Sequence, residues 1–266
     1  MQGNLGAHKA EARMRFNAAA AGYDAGPGVF AHFGRRLAAV AGIAAGNRVL
    51  DVASGHGAVL FPAIQQAGET GEVIGIDFAE EMVRAANEKA ADLGLGPRVR
   101  IMDAENLEFA DGSFERVLCG FGIMFFPDQA RALAEFRRVL KPGGRLALST
   151  WQTHQASEVE VALVAAGIAV PRLPGWITER ADLEQLLIAA KFDNVEVAAD
   201  SFSFRYQDIE EYWQQARGTG MRRTLDALDK EKTEQVRATL IERMRPHRKD
   251  DGFYLGATAL LATATR

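Results

Sequence analysis

Three aspartates and one glycine-bearing turn are the residues of this chain best placed to do chemistry. In Val49–Val59, VLDVASGHGAV, the β-formers Val49, Leu50 and Val52 bracket Asp51 as the end of a buried parallel strand would. Ser54-Gly55-His56-Gly57 then turns the backbone, and Ala58 to Leu60 restart it as a helix. A strand, a turn and a helix N-terminus together present several backbone N–H groups to a ligand above the sheet. Asp77 closes a second run, VIGID, twenty positions after Gly57. That is the distance at which an acid on the second strand tip meets ribose hydroxyls, and with the glycine turn this role outweighs a simple helix cap. Asp103 follows a third run over Val99–Met102, and Cys119-Gly120 ends a fourth. The dinucleotide fingerprint wants a small residue where Leu60 stands, and the Walker pattern wants Lys-Ser/Thr where Ala58 and Val59 stand. The turn therefore suits a ligand without a pyrophosphate.

These residues need elements to position them. Residues 7–24 are alanine-rich with Met14, Phe16 and Tyr23, and read as a helix; Val29–Ala45 reads as a second, with Phe30, Phe33, Leu37 and Val40 on one face. After the glycine turn, Val73–Asp77 is a strand, Ala79–Leu93 a helix, Val99–Met102 and Val117–Gly120 strands, Asp128–Leu140 a helix and Arg145–Trp151 a strand. Lys141-Pro142-Gly143-Gly144 is expected to close the helix before it through a left-handed glycine. Such alternation predicts an α/β fold with a doubly wound, mostly parallel sheet, whose ligands sit at the carboxyl ends of the strands. Thr178–Ala190 then reads as a helix, Asn194–Phe204 as a strand, Asp208–Met244 as a long charged helix opened by an Asp208/Glu211 pair, and Gly252–Thr265 as a last strand. This gives seven strands. The expected partition is an N-terminal helical cap (1–46), a cofactor-binding core (47–206), a helical lid insertion (207–250) and a final core strand (251–266).

Bulk properties narrow the function. At 266 residues the chain can bury a large core. The net charge of −4 argues against a general nucleic-acid binder. One cysteine, Cys119, leaves no internal disulfide and no multi-cysteine zinc site, so no metal is expected. The first sixteen residues mix charges and lack an apolar run, and Val161–Val170 is too short for a membrane span, so the expected location is cytoplasmic. From Arg217 to Lys249 ten Lys/Arg stand against five Asp/Glu, which fits an anionic acceptor or a solvated helix face equally.

The stretches VLDVASGHG, VIGIDFAEEMV, MDAENLEFADGSFERV and RVLKPGGRLALSTW, in this order across roughly residues 47–151, resemble the class I S-adenosylmethionine-dependent methyltransferases. The similarity is to the branch holding the ubiquinone and menaquinone C-methyltransferases and many small-molecule methyltransferases. The resemblance implies a Rossmann-like seven-stranded sheet with an antiparallel last strand. It also implies S-adenosylmethionine as cofactor, S-adenosylhomocysteine as product and a small organic acceptor, O- or C-methylated on a ring, quinone-like or natural-product-type compound. By this resemblance Ala53, Ser54, Gly55 and Gly57 pass the backbone around the methionyl part, with Asp51 beneath its ammonium group. Asp77 takes the ribose hydroxyls, Phe78 and Met82 contact adenine, Asp103 accepts its amino group beside the Ala104 N–H, and Cys119 and Gly120 offer carbonyls to the ammonium. Two positions depart from the family pattern: Ala53 stands for a usual glycine, and Ala79 for a frequent serine or threonine cap. His56 falls at a variable loop position.

Because a sulfonium methyl is already activated, a general base is needed only for an acceptor that is protonated at working pH. The catalytic candidates are His154, past the fifth strand, and Tyr23, with His32 behind them; Trp151 and Phe121 are candidate acceptor-pocket residues. The alternatives are an NAD(P)-dependent oxidoreductase on a related fold, disfavoured by Leu60 and the lack of a Tyr-x-x-x-Lys pair, or a cofactor-binding member without transfer activity. A monomer or homodimer without nucleic-acid partners is expected.

Overall fold

The computed structural model describes residues 2–152, 157–170 and 176–266, with side chains from residue 6 onward. In chain order the elements are α1 (Gln2–Ala19), α2 (Val29–Val40), β1 (Arg48–Val52), α3 (Leu60–Ala67), β2 (Glu72–Asp77), α4 (Glu80–Asp92), β3 (Val99–Ile101) and β4 (Phe114–Gly120). They continue with α5 (Gln129–Val139), β5 (Leu140–Trp151), α6 (Glu158–Ala165), α7 (Arg180–Ala189), β6 (Asp193–Tyr206), α8 (Ile209–Arg217), α9 (Arg222–Asp226), α10 (Lys230–Met244), β7 (Arg248–Lys249) and β8 (Gly252–Thr265). The sheet runs β3-β2-β1-β4-β5-β8-β6. Its first five strands are mutually parallel, and β8 lies antiparallel between β5 and β6. The doubly wound sheet with an antiparallel last strand is thus as expected, with two-residue β7 added on β8.

Strand alternation sorts the core onto two faces. Val49, Leu118, Ala147 and Leu261 point to one, packed with α2, α3 and α6. Leu50, Val52, Val117, Leu148 and Leu260 point to the other, packed with α5 and α7. Chain order reverses between β1 and β4, so their carboxyl ends part there and open a crevice, as at the switch point of any doubly wound sheet.

Four local expectations change. The second helix stops at Val40, because Gly42 turns left-handed (φ 64°) well before Gly46. Leu140 is already extended and paired with Phe114, so Gly143 (φ 74°) belongs to an irregular start of β5 and does not cap α5. The long helix over 208–244 is three helices, broken at Gly218 and again before Asp229, whose carboxylate caps α10 through Lys232 N. Finally, α6 lies in the apolar run after Ser157, which forms a capping box with Glu160.

Candidate active site

The glycine turn is held by the backbone before any ligand is considered. Ser54 N extends the parallel ladder to Ile76 O at 3.0 Å, Ser54 Oγ donates to Asp51 O at 3.0 Å, and Gly57 N closes onto Ser54 O at 2.8 Å. Gly55 and Gly57 take φ of 51° and 85°, a region natural to glycine. Ala53 takes φ of 56° without being glycine, so the departure from the family pattern leaves the backbone path intact and strained. At the tip of β4, Phe121 shows the same left-handed strain (φ 55°). Two strained residues therefore face each other across the crevice mouth.

Asp77 ties the turn to the next helix. Its Oδ2 accepts from Gly55 N at 2.8 Å and its Oδ1 from Ala79 N at 2.9 Å. Burial pushes this carboxyl above its ordinary value. The cap missing at Ala79 is supplied from far away: Asn17 of α1 accepts from Glu81 N at 3.0 Å, and Arg13 and Asn17 both bond Glu80. Asp51 lies fully buried between Gly75 and Leu118 of the neighbouring strands, with neither carboxylate oxygen hydrogen-bonded. Burial pushes it up to about 7.

The crevice is a cleft of about 780 Å³. Of the expected cofactor residues, Ala53, Gly55, Asp77, Phe78, Met82, Asp103, Ala104 and Gly120 line it together. Ser54 lines a smaller neighbouring cavity, while Asp51, Gly57 and Cys119 lie behind the walls. Cys119 is fully buried, with its thiol pushed up to about 12. Asp103 Oδ1 accepts from Glu105 N at 2.9 Å, and its Oδ2 receives the Lys9 ammonium at 2.7 Å. Tyr23 lines both cavities, stacked on Phe30 with ring centroids 4.8 Å apart, and burial drives its phenol well above the ordinary value. His154 lies outside the described residues. His32 stacks on Phe202 away from the cleft, and His56 faces Asp24 at 3.3 Å.

Missed from the sequence are Lys9, Arg13, Phe16, Glu105, Phe125 and Phe126, which also line the cleft. The signal for the first three was present: positions 9, 12, 13 and 16 fall on one helical face. Of the ten basic residues from Arg217 to Lys249, Arg217, Arg222, Arg237, Arg243 and Arg245 pair with carboxylates, and none of the ten lines the cleft. Half of the charge run is paired on the helix surface and none of it reaches the cleft, so it lends the anionic acceptor no support. Among the described residues, no cluster of three or more His, Cys, Asp or Glu could hold a metal ion, and no helix is long and apolar enough to cross a membrane.

Residues 49–144 match the family described as methyltransferase domain. This span is a methyltransferase domain. It is 37% identical over 145 residues to aklanonic acid methyltransferase DauC of Streptomyces sp. strain C5, covering 54% of this chain and 66% of that protein. It is 42% identical over 138 residues to nocamycin O-methyltransferase of Saccharothrix syringae, covering 51% of this chain and 49% of that one. The chain thus spans 49% to 66% of the length of these curated relatives. The crystal structure of YcgJ protein from Bacillus subtilis superposes with a TM-score of 0.62 at 20% identity, over 88% of this chain and 98% of that one, which shows the shared fold.

The methyltransferase family works with S-adenosylmethionine, and the cleft suits it. A side chain at Gly120 would sit 2.7 Å from Val59 Cγ2, and one at Gly57 2.4 Å from the Phe61 ring, so this cradle keeps its shape only with glycine there. The orphaned Asp51 carboxylate beneath the floor matches a ligand carrying an ammonium group.

Proposed function

We propose that the chain transfers the methyl group of S-adenosylmethionine to an oxygen or carbon of a small ring-containing organic acceptor. The observation carrying this reading is the meeting of Asp77, Asp103 and the Ala53–Gly57 turn in one cleft, with an unpaired Asp51 carboxylate under it. The cofactor supplies an already activated methyl, so the chain's work is binding and orientation. Asp77 holds the ribose hydroxyls with the lone pairs left over from Gly55 and Ala79, and Asp103 with Ala104 reads adenine. Gly120 and Asp51, the latter through water, receive the ammonium; Ser54, Gly57 and Cys119 shape the turn and strand tip from behind. Phe78 and Met82 flank the adenine ring.

The acceptor's place is the aromatic side of the cleft, lined by Tyr23, Phe30 and Phe121: Tyr23 stacks on Phe30, and Trp151 backs Phe121 at 4.1 Å without lining the cavity itself. Tyr23, kept protonated by burial, serves there as a hydrogen-bond donor that orients the acceptor and not as a base. Side chains of α1 and α2, with Tyr23 between them, form the roof over this space, and the helices of 207–250 pack behind it without lining either cavity. The names of the two relatives support a natural-product acceptor and, for one, oxygen as the methylated atom. The oxidoreductase alternative has no support in the comparisons.

Calorimetric titration with S-adenosylhomocysteine, and separately with NAD and NADP, tests the cofactor. Binding of the first alone is expected, and binding of only the nicotinamide cofactors would overturn the reading. Mass spectrometry across phenolic, enolic and carboxylic acceptors then tests turnover. Tight cofactor binding without any S-adenosylhomocysteine formed would make this a binding protein on a methyltransferase fold.

A further inference from the structure

The N-terminal helix reaches into the adenine end of the cleft with one charge. Lys9, Ala12, Arg13 and Phe16 form the cleft-facing stripe of α1, and at its head the Lys9 ammonium lies 2.7 Å from Asp103 Oδ2 and 2.6 Å from Glu105 Oε2. The two carboxylates differ in their surroundings. The Asp103 side chain keeps 32% of its surface exposed, whereas Glu105 keeps 5%. Glu105 also accepts from Asp128 N at 3.0 Å, and Lys9 is its only ion-pair partner among the described residues. Removing the ammonium from both acids would strand a buried charge at Glu105, while removing it from Asp103 alone leaves a group that water or a neutral donor can satisfy. The far end of α1 is separately fixed on α4 through Asn17 and Arg13.

We propose that Lys9 gates the adenine end of the cleft: it bridges Asp103 and Glu105 in the ligand-free protein, and cedes Asp103 to the exocyclic amino group of an incoming adenosyl ligand while keeping Glu105. This rests on the reading of the cleft as an adenosyl site. The first half of α1 is then the moving part and the Asn17 contact its anchor, so the ligand enters without the roof being lifted as a whole. Glu105 holds Lys9 in place on both sides of the exchange. Despite burial, which works against it, the two acids together hold the ammonium above its ordinary pKa, so the gate is charged at neutral pH.

The test compares wild type with Lys9→Met, which keeps most of the apolar stem. Hydrogen exchange without ligand should be at least fivefold faster over residues 6–13 in the variant and unchanged over residues 80–92. Stopped-flow association with S-adenosylhomocysteine should be at least fivefold faster in the variant. Wild-type association should speed up with ionic strength as the ion pairs are screened, and the variant's should not. Asp103→Asn, which weakens one arm only, should give an intermediate exchange rate over residues 6–13. Equal association rates in wild type and Lys9→Met, or identical exchange over residues 6–13, would refute the gate while leaving the adenosyl site standing. A wild-type protein that binds no S-adenosylhomocysteine would refute the site and the gate together, though the exchange difference would still show the Lys9 bridge.

Discussion

The floor and the roof of the cleft are built on opposite rules. The floor is backbone and short acids: strand ends, a glycine turn, and Asp51, Asp77 and Asp103 at three successive parallel strands. The roof is side chains of α1, α2 and the turn between them, aromatic toward the second cavity and charged toward Asp103, with α8 to α10 packed behind. The helices behind it meet it backbone to backbone, since a Cβ on Gly218 would lie 1.9 Å from Gly22 O. Tyr206 of β6 ties those helices to the sheet, its hydroxyl donating to Gln215 Oε1 at 2.5 Å. A floor fixed by main-chain hydrogen bonds can present the same donors to every cofactor molecule. A roof fixed by side-chain packing is free to differ from one acceptor to another. The comparison teaches where identity to other proteins should concentrate, and residues 49–144, the matched span, include the whole floor and none of the roof.

The widest gap between the two regions should appear in stability. Phe136 on α5 is fully buried under the floor, so Phe136→Ala should cost about 3–5 kcal/mol by the usual scale for buried aromatics. Phe16 on the roof is only half-buried and meets Phe125 edge-on at 4.8 Å, and Phe16→Ala should cost well under half as much. Denaturant unfolding of both variants checks this; equal losses would mean that the roof is part of one rigid core. Next in size is Asp77→Ala. It would remove the proposed ribose contacts and also strand Gly55 N and Ala79 N, so affinity for S-adenosylhomocysteine should fall by about 1–3 kcal/mol. Asp77→Asn should be nearly as damaging, because its amide NH₂ must face one of those two N–H donors. An affinity for the Asn variant close to wild type would detach Asp77 from the site.

Asp51 supplies a pH test specific to the floor. Its folded value of about 7 lies above the ordinary 3.8, so the folded state binds a proton there that the unfolded state has lost between these values. The sign follows: the protein without ligand should lose stability through this group as pH rises from about 4 through 7. A cofactor ammonium favours the ionised carboxylate, so affinity should improve from pH 6 to pH 8 and binding near pH 7 should release a proton. Titration in buffers of different ionisation enthalpy reads that proton directly. Asp51→Asn should abolish the release, and a release that persists would move it to another group.

Legibility followed the same division. The floor could be read from the sequence because each of its parts is local: an acid after a β-run, glycines after the acid, a helix pattern after the glycines. Asp77 and Asp103 needed no knowledge of distant residues. The roof could not, because its contacts join residues far apart in the chain, Lys9 to Asp103 and Gly22 to Gly218. The breaks in the segment after Asp208 were visible as Gly218, Gly220 and Asp229, but its dense helical charges outweighed them in the reading. The cap on α4 shows the limit most plainly. Ala79 has no capping side chain, and nothing near it in sequence indicates that Asn17 supplies the acceptor for Glu81 N.

The smallest predicted effect bears on the strain at the crevice mouth. Ala53 holds φ of 56°, where glycine carries no steric cost, while a glycine gains more freedom when unfolded. These terms oppose each other: relief of the left-handed strain is worth about 1–3 kcal/mol and the unfolded-state freedom of glycine about 0.4–1 kcal/mol, so Ala53→Gly should stabilise by somewhere between nothing and about 2.5 kcal/mol. The informative reading lies across the crevice. A Cβ on Gly122 would stand 2.7 Å from the Ala53 methyl, 2.8 Å from Cys119 Sγ and 3.3 Å from Phe126. If the methyl of Ala53 is what keeps position 122 a glycine, Ala53→Gly should recover part of the stability lost in Gly122→Ala. If Cys119 and Phe126 are the tighter constraint, the two changes will simply add in the double variant. A double-mutant cycle by thermal unfolding separates these outcomes, and a coupling near zero would show that the two strand tips are strained independently.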